Sequence, residues 1–177
     1  MRRHRELIAA LLAVLAVTVI YAYLFWGDAP RSGSPIGHWI GVIGMALMLA
    51  TETLYSLRKR ARRVRFGRLR HWRSVHIFMG IFGPYLVLLH TAGAFGGLAG
   101  LAMLMTMLVV ISGFIGRYIY TLIPRSADGS ELPSDAAVAA RRLLATWHTV
   151  HVPLGLAMFT AATLHALAGL YFGTLGR

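Results

Sequence analysis

Residues 147–172 read WHTVHVPLGLAMFTAATLHALAGLYF. From Thr149 to Phe172 there is no Asp, Glu, Lys or Arg. A bilayer core about 30 Å thick is crossed by about 20 apolar residues in a helix, and this stretch is long enough to do so. Apolar and polar residues do not alternate along it, so it reads as a helix and not as a barrel strand. Two histidines, His151 and His165, stand in it 14 residues apart. Residues 74–95, SVHIFMGIFGPYLVLLHTAGAF, repeat the arrangement with His76 and His90, again 14 apart.

Three further apolar runs flank these two. They are Leu7–Trp26, His38–Leu57 (interrupted only by Glu52) and Leu98–Ile123. In lipid only helices and closed barrels satisfy their own backbones. The expected fold is therefore all-α: one integral membrane helical bundle over 1–177, with spans at 7–26, 38–57, 74–95, 98–123 and 149–172. The composition agrees, with 57% hydrophobic and only 14% charged residues, against about 25% charged in a soluble domain. Disorder is excluded on the same grounds. The first run follows Met1-Arg-Arg-His-Arg-Glu6 as a signal peptide core would, but its 20 residues exceed the ~7–15 of such a core. It reads as an uncleaved span. The chain has no cysteine, which excludes disulfides, zinc–thiolate sites, thiolate-held iron–sulfur clusters and covalent haem attachment.

Eighteen Lys and Arg against six Asp and Glu give a net charge of +12. The placement of these charges says what the excess means. Arg2, Arg3 and Arg5 precede the first span, nine basic residues fill Arg58–Arg73, and Arg117, Arg125, Arg141 and Arg142 lie between the fourth and fifth spans. With five spans, all of these fall on one side, and only Arg31 and Arg177 on the other. The positive-inside rule then puts the amino terminus in the cytoplasm and the carboxyl terminus outside. The basic connector suits anionic lipid or an acidic partner, not nucleic acid. In the fourth connector, Asp128-Gly129 signals a turn and Ser134-Asp135 a helix start. Ala136–Trp147 reads as an interfacial helix leading into the fifth span.

The histidines carry the chemistry. At ~100° per residue, 14 residues fall about 40° short of four turns, so both members of each pair face nearly the same way, roughly 21 Å apart along the axis. The third and fifth spans run in the same direction. His76 and His151 thus share the cytoplasmic depth, and His90 and His165 the outer depth. Facing helices in a bundle supply cofactor sites in this way, and two imidazoles suit the axial positions of a haem iron. Intramembrane ionisable groups are costly and mark function by default. The expectation is a four-helix haem-binding core in spans two to five, with the first span peripheral. It holds two non-covalent, bis-histidine haem b groups: an inner one on His76 and His151, an outer one on His90 and His165. His148 is excluded as a rival ligand, since 17 residues to His165 turn it about 100° off the shared face.

Both helices read H-x3-G-x9-H, with Gly80 and Gly155 four residues after His76 and His151. A glycine clears backbone space for a macrocycle, although small residues also serve ordinary helix packing in membranes. Arg117 can pair with a haem propionate through its bidentate fork, or snorkel to the interface. Glu52 can relay protons or touch a quinone, or reach the interface beside Lys59. Pro84 removes one helical hydrogen bond.

The four histidines, with SGFIGRYIYTLIPR (Ser112–Arg125) and Trp147–Phe172, resemble the membrane di-haem cytochromes b. The closest local resemblance is to small bacterial membrane cytochromes of ferric-reductase type. It spans roughly Arg70–Phe172 and implies a bacterial cytoplasmic membrane and single-electron transfer. No flavin or nicotinamide segment accompanies it, so the chain is expected to be a subunit of a larger oxidoreductase system with redox partner proteins. Two alternatives stand beside this: a quinone-reactive cytochrome b subunit, and a haem-free membrane anchor or scaffold.

Overall fold

The computed structural model describes residues 5–60, 69–124 and 131–172. Five helices carry the fold: α1 (Arg5–Leu24), α2 (Pro35–Arg60), α3 (Leu69–Thr91), α4 (Gly97–Thr121) and α5 (Asp135–Leu170). All five are long and apolar enough to cross a membrane, as the sequence implies. Large apolar side chains lie exposed along every helix, among them Leu11, Trp39, Val75, Leu104 and Leu156. Apolar surface on that scale is compatible with an integral membrane protein and foreign to a soluble monomer.

Local chemistry sets most helix ends. α2 starts with Pro35, whose missing N–H costs nothing in the first turn. Ser34 precedes it, and its hydroxyl accepts from the Gly37 N–H at 3.2 Å. α3 runs on through Pro84 and stops at Thr91, short of Phe95 and at the start of the Gly-rich stretch Ala92–Gly97, which the sequence marks as a tight turn overlapping the end of the third span. Ala92 and Gly93 take positive φ, 46° and 80°, which an α-helix cannot accommodate. Thr91 caps the turn, its carbonyl accepting from the Ala94 N–H at 2.8 Å.

The fifth span differs from expectation. The interfacial helix over Ala136–Trp147 and the span from Thr149 are one continuous helix of 36 residues, α5. Ser134 caps it as expected, its hydroxyl accepting from the Ala137 N–H at 3.2 Å. Nothing in Trp147-His148-Thr149 breaks a helix, and Ala137 and Ala140 bury against Ile123, with Tyr120 and Leu144 packed alongside. At 1.5 Å per residue α5 is about 54 Å long, well beyond a ~30 Å hydrocarbon core.

The chain divides into two compact units, Met1–Ala94 and Phe95–Arg177. Within the first, α3 packs on α2 and α1 packs on α3. The Thr18 and Tyr85 hydroxyls are 2.6 Å apart and tie α1 to α3. α1 buries only Ala10. Within the second unit, α4 packs on α5. Residues 61–68 of the Arg58–Arg73 connector, the Asp128-Gly129 turn, Arg2, Arg3, Arg125 and Arg177 lie outside the described residues.

Candidate metal-ligating histidines

The α2–α3 pair is antiparallel and keeps one register along its length. Gly37 lies beside His90, Gly44 beside Gly83, and Thr51 beside His76. Each pair lies seven residues on from the last along α2 and seven back along α3. Seven residues are two turns, so the same seam recurs. At the middle step the backbones nearly touch: a Cβ on Gly44 would stand 2.9 Å from the Gly83 carbonyl oxygen, and one on Gly83 would stand 3.1 Å from that of Gly44. Such small-residue crossings let membrane helices approach closely.

That close approach brings both histidines of α3 against the backbone of α2. His90 Nδ1 is 2.8 Å from the Gly37 carbonyl oxygen, and His76 Nδ1 is 3.2 Å from that of Thr51. A carbonyl only accepts, so each Nδ1 carries the hydrogen and donates it. The lone pair of each neutral ring is then on Nε2, the nitrogen that ligates metals in this arrangement. Both rings are half-buried. Gly41 makes the His90 contact possible, because a Cβ there would stand 2.7 Å from the His90 ring.

In the second unit His151 is held differently. Its Nδ1 is 3.1 Å from the buried Ser112 hydroxyl of α4. Trp147, one turn earlier on α5, donates its indole N–H to the Ser112 carbonyl at 2.7 Å and to the same hydroxyl at 3.1 Å. The indole also stacks on the imidazole, with ring centroids 4.6 Å apart at 26°. Gly116 makes room for it, since any Cβ there would collide with the indole ring. His165 is half-buried fourteen residues further along α5.

The remaining expected residues sort out plainly. Gly80 lies near Thr51, as His76 does, and a Cβ there would meet only the Thr51 methyl at 3.8 Å. A Cβ at Gly155 would meet nothing within 4 Å. Close packing inside its own unit therefore accounts for neither glycine. Arg117 is half-buried near the carboxyl end of α4. Glu52 is exposed, at the end of the apolar part of α2, where a carboxylate can reach the interface. His148 is exposed and meets Trp147 edge-on at 5.5 Å. An apolar cleft of about 460 Å³ between α4 and α5, lined in part by Leu98, Pro153, Leu156 and Leu164, lies on the face of α5 turned away from His151 and His165 by helical arithmetic.

Among the described residues no three of His, Asp and Glu gather into a metal-binding group. A haem iron requires only two protein nitrogens, and a tautomer fixed with its lone pair on Nε2 fits that role.

Gly41 gives a direct test of the register. Gly41→Ala must displace the His90 ring, and overpacking of this kind costs roughly 1–3 kcal/mol. Thermal unfolding in detergent is expected to show that loss for Gly41→Ala and none for Gly169→Ala, where a Cβ meets nothing within 4 Å. Equal midpoints for the two variants would contradict the contact. No family model, curated protein or solved structure matches the chain.

Proposed function

We propose that the chain is a di-haem b electron-transfer protein of the bacterial cytoplasmic membrane, working as a subunit of a larger redox complex. Electrons pass between an inner haem on His76 and His151 and an outer haem on His90 and His165. The observation that carries the reading is the matched pair of 14-residue histidine spacings, with Nδ1 of His76, His90 and His151 each against a protein oxygen. Such partners orient a metal-ligating histidine and raise its basicity. When bound, the haems supply one-electron chemistry, which belongs to the cofactor. The chain supplies the ligands and their orientation, the low-dielectric surroundings, the clearance at Gly80 and Gly155, and Arg117 for a propionate.

The basic asymmetry places the amino terminus in the cytoplasm and the carboxyl terminus outside. An impermeant thiol reagent applied outside is then expected to label Ser34→Cys and not Ser130→Cys; the opposite pattern reverses the orientation and the haem labels. The function is tested by the optical spectrum of the purified chain. A Soret band and reduced alpha bands are expected, with turnover in the native complex insensitive to inhibitors of quinone sites. No Soret band would leave a haem-free scaffold, and inhibition would make the chain a quinone-reactive subunit.

A further inference from the structure

His76, His90 and His151 are not held alike. His76 and His90 donate to backbone carbonyls, acceptors that no side-chain substitution removes. His151 meets a serine hydroxyl, which has two acceptor lone pairs and a hydrogen of its own. The Ser112 oxygen is shared, since Trp147 donates into it at 3.1 Å while His151 Nδ1 stands at the same distance. With Ser112 buried, Trp147 and His151 half-buried and stacked, and room made by Gly116, this cluster lies wholly within the α4–α5 pair.

We propose that Ser112 and Trp147 are positioning residues that set the reduction potential of the inner haem through His151, with opposite signs. This rests on the di-haem reading. The more strongly Nδ1–H is drawn to its acceptor, the more imidazolate character the ring gains, and the better His151 supports ferric over ferrous iron; second-shell hydrogen bonding is one of the protein's levers on haem potential. Ser112 supplies the acceptor and so lowers the potential. Trp147 spends part of the same oxygen's electron density on its own N–H, weakening that acceptor, and so raises it. The serine acceptor belongs to a side chain, so this hydrogen bond can be removed by substitution.

Redox titration of the purified chain separates the cases. Ser112→Ala is expected to raise one of the two midpoint potentials, the one lost in His76→Ala, and to leave the other in place. A tenfold change in the reduction equilibrium corresponds to ~59 mV for one electron, ample for titration to resolve. Trp147→Phe keeps an aromatic ring to stack but removes the N–H, and is expected to lower the same potential. Two haems with unchanged potentials in Ser112→Ala, or both variants shifting the same way, or both haems shifting together, would overturn the inference and leave the di-haem reading intact. A wild-type chain without haem would overturn both.

Discussion

Purified His76→Ala is expected to keep one haem per chain, the outer one, and His165→Ala to keep one, the inner one. Each iron is proposed to hang on two imidazoles from two different helices, so removing one leaves a site with half its protein bonds. The two sites are about 21 Å apart along the helix axis by the rise per residue, so loss at one depth need not disturb the other. His90→Ala pairs with His165→Ala in this scheme, and His151→Ala with His76→Ala. His71→Ala and His148→Ala are the controls: both side chains are exposed, and both variants should retain two haems with unchanged spectra. If the four ligand variants fell into other pairs, the assignment of inner and outer ligands would be wrong. If none lost haem, the histidines would not be ligands.

Gly44→Leu and Gly83→Leu are expected to be strongly damaging. The atoms nearest a new side chain at Gly44 include the Gly83 carbonyl oxygen, at 2.9 Å, and the Val87 amide nitrogen, at 3.0 Å. Neither can rotate aside as a flexible side chain would, so α2 and α3 must separate. Separation withdraws the Gly37 and Thr51 carbonyls from His90 and His76 together. Both variants should therefore unfold at lower temperature in detergent and show altered spectra for both haems, in contrast to the one-haem losses above. A wild-type midpoint and spectrum in either variant would show that the seam does not position the histidines.

The spans were legible in the sequence because an apolar run of bilayer length has few alternatives. The four histidines stand out in the sequence because their spacing repeats. Boundaries followed less well. α3 ends where the glycines of Ala92–Gly97 mark a turn, although the left-handed conformation of Ala92 itself has no local signature. α5 continues through Trp147 because its small residues at 137 and 140 pack on Ile123, a tertiary contact with no local signature.

The histidine partners were not legible. Two are backbone carbonyls, which every residue has. Only the register between α2 and α3 selects Gly37 and Thr51, although their own separation of 14 residues matches that of the histidines. The glycines show the same limit. The repeated motif drew notice to Gly80 and Gly155, whereas the positions with no room for a Cβ include Gly41, Gly44 and Gly116. Glycine spacing along one helix does not reveal what the neighbouring helix brings up against it.

The most direct measurement is the haem content of the purified chain by pyridine haemochrome, set against protein concentration from amino-acid analysis. Two matched histidine pairs require a ratio near two haem b per chain, both low-spin. A ratio near one, or a bound metal without porphyrin, would contradict the paired-site arrangement.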